Sequence, residues 1–193
     1  MITPQNTVIV IGDSPFIGEV ENVLYYIVDR YPSIGINHVI KKFKVQTHVF
    51  QDMKFIPITN SYPNIKTVSI NQWGDAIQKE NKELFPSFPF DFRIHTENDI
   101  YRDGRLAWEG FTHDYAISYC IYKGYENIIL VGAADFVEGS HHMTREIFKF
   151  SDSLREKSKK FIEEICTKRA CVYKVNPKSI LNIPAINLDE LLK

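Results

Sequence analysis

This 193-residue sequence has no apolar run approaching the ~20 residues needed to span a bilayer. Its start, MITPQNTVIV, lacks the basic n-region and long apolar h-region of a signal peptide. The expected setting is therefore the cytoplasm. Neither sign of charge is in excess: 23 Lys and Arg stand against 24 Asp and Glu, for a net charge of −1. That argues against duplex DNA or RNA as the main ligand, because a phosphate backbone demands a basic surface. Cysteine is scarce. Cys120, Cys166 and Cys171 have no metal-ligand spacing, and reduced thiols are expected rather than a Cys166–Cys171 pair. No internal repeat and no linker divides the chain, so residues 1–193 read as one domain. Two phosphate-binding signatures are also missing: the G-x-G-x-x-G fingerprint and the lysine of a Walker loop.

What is present is alternation. Thr7–Ile11 reads as a buried strand and Glu19–Arg30 as a helix with Val20, Val23, Leu24, Ile27 and Val28 on one face. Strands follow at Ser33–Ile36, Val45–Phe50 and Thr67–Ile70. A helix over Trp108–Lys123 ends at Gly124, and the buried strand Asn127–Val131 comes next. A long charged helix over Met143–Lys168 and a last strand at Cys171–Val175 complete the pattern. Residues 72–106, with the proline- and aromatic-rich FPSFPFDF, read as an irregular insertion. Its aromatics at 85–92 leave three roles open: a lid, an acceptor surface, or a contact in a homo-oligomer. Strands alternating with helices imply an α/β fold with a mostly parallel sheet covered on both faces.

In such sheets ligands bind beyond the carboxyl ends of the strands. Small polar residues stand at those ends: Asp13, Ser14, Asn37, Gln51, Asp52, Asn71, Asp135 and Asn176. Gly12 of GDSPFIG permits a close backbone approach. Ser14 reads either as a donor to phosphate or ribose or as a helix cap. Gly110 and Thr112 open the next helix, whose free amides favour an anion. Glu109 and Asp114 are candidate acids, with capping as the alternative for Glu109. His141 and His142 follow the strand–loop GAADFVEGS, and one of them suits a general base. Arg145 and Lys149, just beyond, are candidate diphosphate partners. His38, His48, His95 and His113 read mostly as structural. No third ligand is fixed by spacing for a metal.

Taken together, VIVIGDSPFIGEV, GINHVIKKF, GFTHDYAISYCIYKGYENIILVGAADF and VYKVNPKSILNIPAINLDELL resemble a known group. It comprises the bacterial sialyltransferases that use CMP-sugars, the motility-associated glycosyltransferases and the archaeal 6-hydroxymethyl-7,8-dihydropterin pyrophosphokinases. The resemblance covers roughly the first 55 and last 85 residues. It implies a Rossmann-like three-layer α/β/α fold holding a nucleotide at the carboxyl edge of the sheet. By that resemblance Gly12, Asp13 and Ser14 would hold phosphate or ribose, as would Asn37, Gln51 and Asp52. Trp108, Glu109 and Gly110 would approach base and sugar. Asp135 of the shared D-F motif would be catalytic, and the base would fall at His141 or His142. The group usually has Asn where Asp13 stands, and the sialyltransferases place two tyrosines after D-F where this chain has Val137 and Glu138.

The expected function is nucleotide-dependent transfer of a sugar from a CMP- or UDP-type donor to a hydroxyl. No cofactor is firmly implied. The alternatives are magnesium-dependent pyrophosphoryl transfer from ATP, with Asp13, Asp52 and Asp135 toward the metal, and non-catalytic nucleotide binding.

Overall fold

The computed structural model describes residues 2–90, 100–137, 139, 140, 147, 148 and 151–193. In chain order the strands are β1 (Thr7–Ile11), β2 (Ser33–Ile36), β3 (Thr47–Phe50), β4 (Lys66–Ser69), β5 (Lys82–Leu84), β6 (Ser87–Pro89), β7 (Tyr101–Arg102), β8 (Arg105–Trp108), β9 (Asn127–Val131), β10 (Gly139–Ser140), β11 (Ile147–Phe148) and β12 (Cys171–Lys174). The α-helices are α1 (Ile17–Arg30), α2 (Ile56–Asn60), α3 (Thr112–Tyr122) and α4 (Asp152–Lys160).

Seven strands form one sheet in the order β12-β9-β1-β2-β3-β4-β5, and every pairing in it is parallel. β1 and β9 are buried at all five positions, as strands covered on both faces must be. Their side chains alternate between two apolar layers. Val8 and Val10 of β1 pack with Ala116, Ile117 and Cys120 of α3 and with Phe161 and Ile162 beyond α4. Ile9 and Ile11 pack with Leu24, Ile27 and Val28 of α1 and with Leu188 and Leu191 near the C-terminus. This is a Rossmann-like α/β/α arrangement. The order reverses at β1, whose neighbours are β9 on one side and β2 on the other. A crevice opens at such a switch point.

Three local expectations are corrected. Residues 72–106 are not wholly irregular: β5 extends the main sheet, and β6, β8 and β7 form a small sheet of their own. Pro89 is tolerated in β6 because that strand lies at an edge. Trp108 ends β8 instead of opening a helix, because Gly110 breaks the chain at φ +122° and α3 starts at Thr112. The last long helix starts at Asp152, after an extended Ser151, and Ile147–Phe148 pair with Gly139–Ser140 as strands. That helix also leaves α geometry, through a π-helical turn at Phe161–Ile165. Among the described residues no helix is long and apolar enough to cross a membrane, and all three cysteines are free thiols.

One contact fixes the crevice. A Cβ on Gly12 would lie 2.2 Å from the Gly132 carbonyl oxygen and 2.8 Å from Ala133 Cα. Both neighbours are backbone, so nothing can swing aside. Gly12→Ala is expected to lower stability by about 3 kcal/mol or more, measured as the shift of the urea unfolding curve. A loss under about 1 kcal/mol would show that the two loops are free to separate.

Candidate functional site

The loops after β1, β2, β3 and β9 line one cavity of about 310 Å³, closed on a further side by β8 and the start of α3. Gly12, Asp13, Ser14, Asn37, Gln51, Asp52, Trp108, Gly110 and Asp135 all lie on its wall. Glu109 does not. Alternation along the extended chain puts it behind Trp108, where it is buried, and its backbone amide donates to Asp114 Oδ2 at 3.3 Å. Asn71 is also absent from the wall. Asn176 acts from behind, through Asp135. His141, His142, Arg145 and Lys149 lie outside the described residues, as does His95.

The loop carrying Asp135 is tied to the first turn. Ser14 Oγ donates to Asp135 Oδ2 at 2.7 Å, and Asn176 Nδ2 donates to the same oxygen at 2.9 Å. Burial pushes the Asp135 carboxyl above its ordinary range, against the pull of those two donors. Its other oxygen, Oδ1, is buried with no hydrogen-bond partner among the described residues. Asn37 Oδ1 and Trp108 Nε1 share that condition. A buried polar atom without a partner costs about 1–3 kcal/mol, and three on one wall mark a surface complementary to a ligand. Pairing them takes two hydrogen-bond donors, for the Asn37 and Asp135 oxygens, and one acceptor, for the indole N–H.

Backbone strain collects on the same wall. Asn37, Ala134 and Phe136 are non-glycine residues with φ between +53° and +55°, and all three line the cavity. Such conformations persist only where the surroundings impose them. At Asn37 the cause is visible as a buried relay. Lys79 Nζ donates to Thr67 Oγ1 (3.2 Å), which lies 2.9 Å from Thr59 Oγ1. Thr59 Oγ1 lies 3.2 Å from His48 Nδ1, and His48 Nε2 is 2.7 Å from the Asn37 carbonyl oxygen. Burial lowers the His48 pKa to about 3, so the ring is neutral. The relay then runs one way, with His48 Nε2–H donating to Asn37 and Nδ1 accepting from Thr59. Read as structural, His48 is so, but it sets the pose of a cavity residue.

The Gly12 and Ser14 amides donate to the Val131 and Gly132 carbonyls at 2.9 and 3.2 Å. Gly12 is therefore close to protein backbone and offers no cradle of amides to a phosphate. A free helix end lies instead at α3. Thr112 and His113 are its first residues and line the cavity, and their amides make no backbone bond among the described residues. Lys54, packed with Nζ 5.2 Å from the Phe55 ring centroid, is the described Lys or Arg side chain on the wall. Lys54 carries no signal in the sequence, and His113 reads there as structural. The usable signal was the start of α3: once it is placed at Thr112, His113 falls in the first turn at the carboxyl edge. Among the described residues no three His, Cys, Asp or Glu side chains converge to hold a metal ion.

No family model and no curated protein matches the chain. Among solved structures it is similar to the MAf glycosyltransferase from Magnetospirillum magneticum AMB-1, with a TM-score of 0.65 over 97% of this chain at 11% identity. The two share a fold. The match takes up 34% of that protein's chain, so this chain spans about a third of its length.

The neutral state of His48 has a measurable consequence. Its folded pKa lies below the unfolded one, so its contribution to stability is present above about pH 6.5 and lost as pH falls toward 3. His48→Gln is expected to destabilise the protein at pH 7.5. That deficit should shrink by about 1.4 kcal/mol per pH unit below 6.5, read as the difference between wild-type and variant urea curves. A deficit independent of pH would mean that His48 titrates in the fold as it does in the unfolded chain.

Proposed function

We propose that the chain binds a nucleotide-activated sugar, of CMP or UDP type, and transfers the sugar to a hydroxyl acceptor. The observation that carries this reading is the trio of unpartnered buried atoms on Asn37, Asp135 and Trp108, set opposite a free helix N-terminus in one cavity. A ribose-bearing phosphate ester supplies what that wall lacks. Its hydroxyls donate to Asn37 and Asp135, an oxygen accepts from Trp108, and its phosphate lies against the Thr112 and His113 amides with Lys54 beside it. Phe55, Trp108, Phe111 and Phe136 offer aromatic faces for a base. The shared fold with a glycosyltransferase supports the same class of chemistry.

In this reading Asp13, Ser14, Gln51 and Asp52 border the sugar and ribose, and Gly110 keeps the floor low. The helix end and Lys54 stabilise the charge that develops on the departing phosphate. The acceptor's proton goes to a histidine. His141 and His142 are the candidates from sequence, and His113 is one that the described cavity itself holds.

Calorimetric titration with CMP, UMP, AMP, GMP and the corresponding nucleotide sugars tests the reading. At least one pyrimidine nucleotide is expected to bind. Lys54→Ala should weaken it about 10-fold, the worth of one charge-assisted contact to phosphate. Heat-silent titrations with every nucleotide and nucleotide sugar would refute the proposal.

A further inference from the structure

His113 stands at the head of a buried relay that neither the sequence nor the shared fold assigns. Its Nε2 is 3.1 Å from Ser158 Oγ, and the Ser158 hydroxyl donates to Asp114 Oδ1 through a short bond. The Asp114 carboxylate is fully buried. Its Oδ2 accepts from the Phe111 and Glu109 amides at 3.1 and 3.3 Å, which locks it in place. The imidazole is stacked on Phe111, with centroids 5.0 Å apart and planes 7° apart. The Phe136 ring meets it edge-on at 5.2 Å. The ring thus has one orientation, and it forms part of the cavity wall.

Burial pushes the Asp114 carboxyl up to about 7, so at pH 8 it is a carboxylate and can only accept. The Ser158 hydroxyl donates its hydrogen bond to Asp114, so Ser158 Oγ accepts from His113 Nε2–H. Burial holds the imidazole neutral, with its pKa lowered to about 3. The unprotonated nitrogen is then Nδ1, which makes no hydrogen bond among the described residues. A neutral histidine on a cavity wall, whose N–H is fixed through a hydroxyl to a buried carboxylate, is arranged as a base.

We propose that His113 is the proton acceptor of the transfer reaction, with Asp114 and Ser158 as positioning residues that hold its tautomer. This rests on the transferase reading above. The acceptor's O–H bond breaks and its proton passes to His113 Nδ1. The oxygen's electron pair forms the new bond to the sugar's anomeric carbon. The bond from that carbon to the donor's phosphate oxygen breaks, and the phosphate keeps the pair. The imidazolium is stabilised through Ser158 by Asp114, then returns its proton to water.

The test uses the full chain at pH 8, with ring-nitrogen NMR and turnover of CMP- and UDP-sugars measured side by side. In the wild type the His113 proton is expected on Nε2. Asp114→Asn reverses the relay. The new amide donates to Ser158, the hydroxyl turns toward Nε2, and the ring proton moves to Nδ1. That variant and His113→Gln should each lose about 100-fold or more in kcat, with the Kd for the nucleoside monophosphate changed less than twofold. If Asp114→Asn does not fold, Ser158→Ala serves instead: it should populate both tautomers and lose about 10-fold in kcat. A wild-type ring protonated on Nδ1, or an active wild type matched in kcat by His113→Gln, overturns the proposal and leaves the transferase reading intact. A wild type that consumes no nucleotide sugar overturns the transferase reading, and this proposal with it.

Discussion

The cavity depends on a contact between two backbones. Where β1 and β9 end, the chain at Gly12 presses against the Gly132 carbonyl with no room for a methyl group. The Gly12 and Ser14 amides bond across this junction, and Ser14 and Asn176 anchor Asp135 above it. Sheet order supplies the crevice, since the sheet extends from β1 through β2 on one side and through β9 on the other. The glycine contact decides how deep that crevice is and which side chains face it. A floor made of close-packed backbone leaves the walls to polar side chains from four separate loops.

Those walls are prepared at some energetic cost. Left-handed backbone at Asn37, Ala134 and Phe136 and unpartnered atoms on Asn37, Asp135 and Trp108 each oppose folding by a kcal/mol or more. The stability that tolerates them comes from the two apolar layers on the sheet. The His48 relay and the Asp114 relay do similar work on opposite sides of the cavity. Each reaches an imidazole through buried hydroxyls, two in the first and one in the second, and each fixes one rotamer or tautomer that solvent would otherwise randomise. Preorganisation of this kind suits a site that must meet charge and hydroxyl groups in a fixed order.

Much of this was legible in the sequence because it depends on local pattern. Continuous apolar runs bounded by polar turns located β1, β2 and β9 to the residue, and the rule that ligands sit at the carboxyl ends of parallel strands brought Asp13, Asn37, Asp52 and Asp135 to one edge. What escaped depended on contacts distant in sequence. FPSFPFDF looks irregular until β8 is present to pair with Ser87–Pro89. Trp108 looks helical until Gly110 is seen at positive φ. Gly12 looked like a phosphate cradle, but the partner that claims its amide is Val131, more than a hundred residues away. His113 looked structural because its value lies in Ser158, 45 positions along the chain.

A crystal structure of the chain with a bound pyrimidine nucleotide tests the central claim most directly. The account places the phosphate at the Thr112 and His113 amides, with ligand hydroxyls donating to Asn37 Oδ1 and Asp135 Oδ1. A nucleotide seated elsewhere on the molecule, or one in the cavity that leaves both oxygens without a partner, would contradict it.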